Sequence, residues 1–165
     1  MTRRDLLRIL DANFNRSREG LRVCEEITRF ALEDKRLTVA IKKARHELSD
    51  CLRGSGVGLS ELLAARDVRS DVGKKPEPFE NVRQNRSDIF AANIERAKEA
   101  LRVLEEASKL VAPALSERFK KIRFRVYAIE KNILPKLETL RHHRSGGLER
   151  PRPVRRGSRS PRRRR

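Results

Sequence analysis

Tryptophan is absent, and tyrosine and methionine occur once each, so a core has to be assembled from leucine, isoleucine, valine and alanine. Runs of β-branched residues are missing as well. That argues against strands and leaves helices rich in Leu, Ala, Arg, Lys and Glu. No apolar run approaches the roughly 18 to 20 residues of a transmembrane helix. The N-terminus, MTRRDLLRILDANF, lacks the apolar region and small-residue cleavage site of a secretory signal, so the chain reads as cytoplasmic, with no membrane partner. Cys24 and Cys51 are the only cysteines and have no C-x-x-C spacing, which predicts reduced core thiols rather than a disulfide or a zinc site. Glycine-rich phosphate loops and the G-x-S-x-G elbow are also missing. Any enzymatic chemistry must therefore come from elsewhere in the chain.

What the chain does have is a stretch written twice. ANFNRSREGLRVCEE at 12–26 returns as ANIERAKEALRVLEE at 92–106, with Ala12, Asn13, Arg16, Glu19, Leu21, Arg22, Val23, Glu25 and Glu26 identical to the residue 80 positions on. After a two-residue slip, Lys42, Lys43 and Arg45 line up with Lys120, Lys121 and Arg123. The repeated unit is thus about forty residues, the length of a pair of helices.

On a helix at about 100° per residue, Ile9, Leu10, Gly20, Leu21, Val23, Cys24 and Ile27 share one apolar arc. Asn13 lies near its middle, Arg16 on its flank and Glu19 at its edge, while Arg18, Arg22 and Glu25 point away. The second copy sets Asn93 and Arg96 among Ile89, Phe90, Ala97, Ala100, Leu101, Val103 and Leu104. A buried amide or guanidinium without partners costs about 1 to 3 kcal/mol or more, so these groups either hold helices in register or face a ligand. If a pseudo-twofold relates the copies, Asn, Arg and Glu from both converge on a cleft between them.

With 165 residues, one domain with an ordinary core is expected. Thr2 with Asp5 makes a capping pair for a first helix that runs from Leu6 to about Leu32. A second helix follows to Gly54, and Ser60 caps a short third one ending before Asp67. The segment 66–86 shows no helical period and holds Pro76 and Pro78. Its Arg66, Ser70, Asp71, Gly73 and Arg86 suit either a phosphate-covering loop or a solvated linker. Ser87 caps a helix to about Leu110, and Pro113 opens a last one to about Leu140, kinked at Pro135. His142 and His143 are read as surface residues.

The fold expected is all-α. It is a bundle of two repeated helical hairpins, 5–53 and 87–140, joined by a short helix and a long loop within a helical domain 1–143. The remaining 144–165 is read as a disordered tail with ten Arg and one Glu, which carries half of the net charge of +18. Such an arm suits either a selectively neutral extension or non-specific polyanion contact, and the sequence leaves both a monomer and a homodimer open.

The runs DANFNRSREGLRVCEEITRFAL, RHEL at 45–48, RDVRSDVG at 66–73 and RSDIFAANIERAKEALRVLEEASKL resemble the small helical hydroxymethylpyrimidine-phosphate kinase domain often fused to thiamine-phosphate synthase. Two positions depart from that pattern: Cys24 stands where a larger aliphatic residue is expected, and Lys74 follows Gly73 where a small hydroxyl residue is. The resemblance covers Leu7 to about Leu134 and implies ATP-dependent phosphorylation of 4-amino-5-hydroxymethyl-2-methylpyrimidine phosphate to the diphosphate, with Mg²⁺ as cofactor. It does not extend to the synthase barrel, so the coupling reaction is not expected of these residues.

Matching motif positions and charge gives Arg16, Arg96, Glu19 and Glu99 as catalytic candidates. Asn13, Asn93, Arg45, Arg66, Ser70, Asp71, Gly73, Arg86 and Arg123 are candidates for substrate and phosphate binding, and Glu19, Glu99 and Asp71 for magnesium. The competing readings are a non-enzymatic basic module that binds RNA or a protein, which predicts packed asparagines without a cavity, and a copy that binds the pyrimidine phosphate as a regulator without turnover.

Overall fold

The computed structural model describes residues 1–53, 55–68 and 83–145, with side chains described as far as 140. These form five helices and no strand: α1 (Arg3–Phe30), α2 (Lys35–Cys51), α3 (Leu59–Ala65), α4 (Arg86–Val111) and α5 (Pro113–Ser145). Helices α1 and α2 make one hairpin, α4 and α5 the other. The two repeat helices, α1 and α4, form the most extensive contact; α2 packs on α1, α5 packs on α4, α2 and α5 also meet each other, and α3 lies against α1. The expected tail beyond 145 and most of the expected loop lie outside the described residues.

The helix ends follow from local chemistry. Thr2 Oγ1 accepts from the Asp5 amide at 3.2 Å while Asp5 Oδ2 accepts from the Thr2 amide at 2.8 Å, a reciprocal cap. Between α1 and α2 the chain turns on Glu33, whose φ is 54°, a left-handed conformation unusual for a side chain of this size. Asp34 then caps α2 by accepting from the Leu37 amide at 3.0 Å. Two expected caps are corrected. Gly58, not Ser60, precedes α3, and its amide donates to Glu61 Oε2 at 3.3 Å. Asn85, not Ser87, caps α4 by accepting from the Asp88 amide at 3.0 Å, which leaves Ser87 buried inside the first turn. Helix α5 continues through Pro135.

The core is aliphatic as expected, with Leu10, Leu21, Ile41, Leu48, Leu62, Ile94, Leu101, Leu104, Ile133 and Leu137 buried around Phe90 and Phe119. Where α1 crosses α4, a Cβ built on Gly20 would lie 2.6 Å from the Asn93 carbonyl oxygen, so only glycine lets the two backbones come this close. Cys24 sits at the same crossing, with its thiol donating to the Phe90 carbonyl oxygen at 3.7 Å. Burial pushes the Cys24 and Cys51 thiols above their ordinary pKa. Both are therefore inert in the folded state. Iodoacetamide at neutral pH is expected to leave both unmodified until denaturant is added, and intact mass before and after unfolding checks this; rapid native labelling of Cys24 would contradict the packing.

The duplication extends to buried charge. Arg45 Nε donates to Glu25 Oε2 at 2.8 Å, and Arg123 donates to Glu105 Oε2 through Nε at 2.9 Å and Nη2 at 2.7 Å. Arg22 reaches Glu25 and Glu26 in the first copy, and Arg102 reaches Glu105 and Glu106 in the second. Glu25 was expected to point away from the apolar arc, and it is buried instead. The reason is that α1 packs against α2 as well as α4, and Glu25 meets Arg45 of α2. No helix among the described residues is long and apolar enough to cross a membrane.

Candidate functional site

Along the outer side of the α1–α4 crossing lies a hollow of about 530 Å³, bordered by Asn13, Arg16, Glu19 and Gly20 from α1 and by Asn93, Arg96, Glu99, Ala100 and Val103 from α4. All six members of the duplicated Asn, Arg and Glu sets thus line one space. A second hollow of about 650 Å³ continues from it toward the start of α1. It shares Asn13, Arg16 and Glu19 and adds Asp5, Arg8, Asp11, Asn15, Arg66 and Asp67.

Helical spacing explains why these side chains gather. Asn, Arg and Glu stand three apart in each copy, which keeps them on one side of the helix. The close approach at Gly20 then brings the two sides together. Asn13 Nδ2 donates to the Ile9 carbonyl oxygen and Asn93 Nδ2 to the Ile89 carbonyl oxygen, both at 2.8 Å. Each amide is thereby oriented by its own helix one turn back. A carboxamide has a second N–H and an acceptor oxygen as well. Structural bonding and a place beside an open hollow, posed as alternatives by the sequence, therefore coexist in both asparagines.

Arg16, Glu19, Arg96 and Glu99 are exposed at the hollow, and Asn13 is buried beneath it. Arg66 stands at the rim of the second hollow, gripped by Asp11 through Nε to Oδ2 and Nη2 to Oδ1, both at 2.7 Å. This two-point contact fixes the guanidinium plane. Asp11 itself is buried, and the hydrogen bonds and charge it supplies raise the pKa of Arg66 further.

Other candidates lie elsewhere. Arg45 and Arg123, expected to bind phosphate, are engaged by Glu25 and Glu105 beneath the surface and border neither hollow. Arg86 donates to the Leu140 carbonyl oxygen at 3.4 Å, where it joins α4 to α5. Ser70, Asp71 and Gly73 fall outside the described residues. Sequence reasoning missed Asp11, Arg8, Asn15, Ala100 and Val103 as lining residues. Asp11 carried a signal, an acid between Leu10 and Phe14 on a face that turns out to be buried.

Among the described residues no cluster of three or more Asp, Glu, His or Cys side chains is arranged to hold a metal by itself. Magnesium commonly takes one or two carboxylates and completes its shell with water and phosphate oxygens. Glu19 and Glu99, hard oxygen donors on the same hollow as Arg16 and Arg96, fit that demand.

The family model described as ThiD2 family matches residues 8–132. A thiamine-phosphate synthase of Synechocystis sp. is 44% identical over 130 residues, covering 78% of this chain and 36% of its own length. One from Nostoc punctiforme is 42% identical over 128 residues, covering 77% and 35%. One from Rhodopirellula baltica is 38% identical over 138 residues, covering 83% and 36%. The chain thus spans about a third of the length of the curated relatives it matches. No solved structure matches it.

Proposed function

The chain belongs to the ThiD2 family, which ties it to thiamine biosynthesis, and from that premise we propose that it transfers the γ-phosphoryl group of ATP to 4-amino-5-hydroxymethyl-2-methylpyrimidine phosphate, yielding the diphosphate and ADP. The observation that carries this reading is the convergence of Asn13, Arg16, Glu19, Asn93, Arg96 and Glu99 on one hollow. An amide, a guanidinium and a carboxylate, each present twice, suit a ligand that combines a polar ring with phosphate.

The reaction brings two polyanions together, so its main obstacle is repulsion. Guanidinium groups offset it, and for phosphoryl transfer positioning and charge stabilisation supply most of the rate. The acceptor phosphate is already anionic near neutral pH, so its oxygen attacks phosphorus without a strong base. Arg16 and Arg96 hold the phosphates, while Asn13 and Asn93, set by their own helices, orient the pyrimidine nitrogens. Glu19 and Glu99 would hold a magnesium ion, which would supply further neutralisation of phosphate charge.

Incubating the protein with Mg-ATP and the pyrimidine monophosphate is expected to give equal amounts of the diphosphate and ADP, followed by anion-exchange chromatography. A folded protein that forms ADP without diphosphate, or neither, refutes the kinase reading. Synthase activity, which the relatives' names carry, belongs to chains about twice as long and is not assigned to these residues.

A further inference from the structure

The two hollows are unequal, although the helices that line them are copies. Asn13, Arg16 and Glu19 border both, whereas Asn93, Arg96 and Glu99 border only the one at the α1–α4 crossing. The difference traces to Asp11. Its counterpart 80 residues on is Ala91, and α3, whose end delivers Arg66, lies between the copies. The Asp11–Arg66 bridge therefore has no second version among the described residues.

Copy one consequently owns an extension from Asp5 past Arg8 to Arg16, walled on the far side by Arg66 and Asp67. At about 1.5 Å of rise per residue, Asp5 to Arg16 measures about 16 Å, room for a nucleoside triphosphate laid lengthwise. The hollow at the crossing takes in Asn13 to Gly20 of α1, about 10 Å by the same rise. The lining differs in kind as well. At the crossing Gly20, Ala100 and Val103 offer apolar surface on which a methylated ring can rest, with Arg16 and Arg96 beside it. The extension instead sets carboxylates, Asp5 and Asp67, beside guanidiniums, Arg8 and Arg66. Carboxylates accept from ribose hydroxyls and an exocyclic amine, and guanidiniums donate to phosphates.

Resting on the kinase reading, we infer that the Asp5–Arg16 extension binds the nucleoside triphosphate donor and the α1–α4 hollow binds the pyrimidine monophosphate, with Arg16 at the junction holding the phosphoryl group that moves. The bond from the γ-phosphorus to the β,γ-bridging oxygen breaks, and its electron pair leaves with the nucleoside diphosphate. An oxygen of the acceptor phosphate forms the new bond to phosphorus, and no proton has to be supplied. A residue that attends both bonds must border both hollows, and among the described residues Arg16 is the arginine that does so. Arg66 contacts the donor, and Asp11 acts through it as a positioning residue.

The test varies each substrate separately and adds calorimetric titration with a non-hydrolysable ATP analogue. Arg8→Ala and Arg66→Lys are expected to raise the nucleotide KM and the analogue Kd by about tenfold or more, with the pyrimidine KM within about twofold of the parent. Val103→Trp, which fills the other hollow, is expected to do the reverse: the pyrimidine KM rises about tenfold while analogue binding holds. Two variants on the donor side keep a folding defect in one from deciding the matter. Unchanged analogue binding in Arg8→Ala and Arg66→Lys overturns the assignment, as does a raised pyrimidine KM in them. If the parent protein forms no diphosphate, the kinase reading fails by itself. The analogue titrations then still decide the subsite: binding lost in both donor-side variants supports it, and binding retained overturns it.

Discussion

Arg16→Ala is expected to lower kcat by about a thousandfold or more while the protein stays folded, because a guanidinium on a transferred phosphoryl group is worth that much in phosphotransferases generally. The side chain is exposed at the mouth of both hollows and has no ion pair among the described residues, so its removal leaves no buried charge behind. Its copy, Arg96, borders one hollow alone. Arg96→Ala is expected to act mainly on the pyrimidine KM, with a smaller fall in kcat. Steady-state kinetics on circular-dichroism-matched proteins separates the two. Full turnover in both variants would end the proposal that these arginines carry the chemistry.

Glu105→Ala should cost about 3 to 5 kcal/mol of folding stability, the usual result of stranding one member of a buried ion pair. Arg123, with its side chain only 10% exposed, would keep the Tyr127 hydroxyl at 2.8 Å but lose both bonds to the carboxylate. The equivalent Glu25→Ala is expected to cost less. Arg45 is 16% exposed and is bonded through Nε alone, so water can replace the missing carboxylate more easily. Replacing the second pair together, as Glu105→Leu with Arg123→Met, is expected to recover most of the loss, since apolar residues of similar volume tolerate such sites. Urea unfolding measures all three. A loss below about 1 kcal/mol in Glu105→Ala would mean that Arg123 finds water when its partner is gone.

Much of this architecture was legible in the residues. Identity at a spacing of 80 specifies two hairpins, and helical periodicity puts Asn13, Arg16 and Glu19 on one side of α1. Arg45 and Arg123 show where such reading stops. A Lys-Lys-x-Arg cluster looks like an anion site, yet each arginine meets a glutamate 20 or 18 residues earlier in the chain. Periodicity says how far round a helix a side chain lies, but not what stands across from it. Glu25 shows the same limit, since its wheel position lies away from the apolar arc but not clear of α2, where Arg45 meets it. Gly20 looked like one more small residue on an apolar arc until the Asn93 carbonyl oxygen was found against it.

By itself, then, the sequence determined that the protein is helical, that it is duplicated, and that each copy presents an amide, a guanidinium and a carboxylate one turn apart. Those properties follow from local propensity and from the 3.6-residue period, which act along the chain. Only the tertiary structure decided which charges cancel under the surface and which open onto space. It also decided that, among the described residues, the first copy alone is extended by Asp11 and Arg66. Such choices depend on distances between helices, and here those distances are set by a crossing that a single Cβ at Gly20 would force apart.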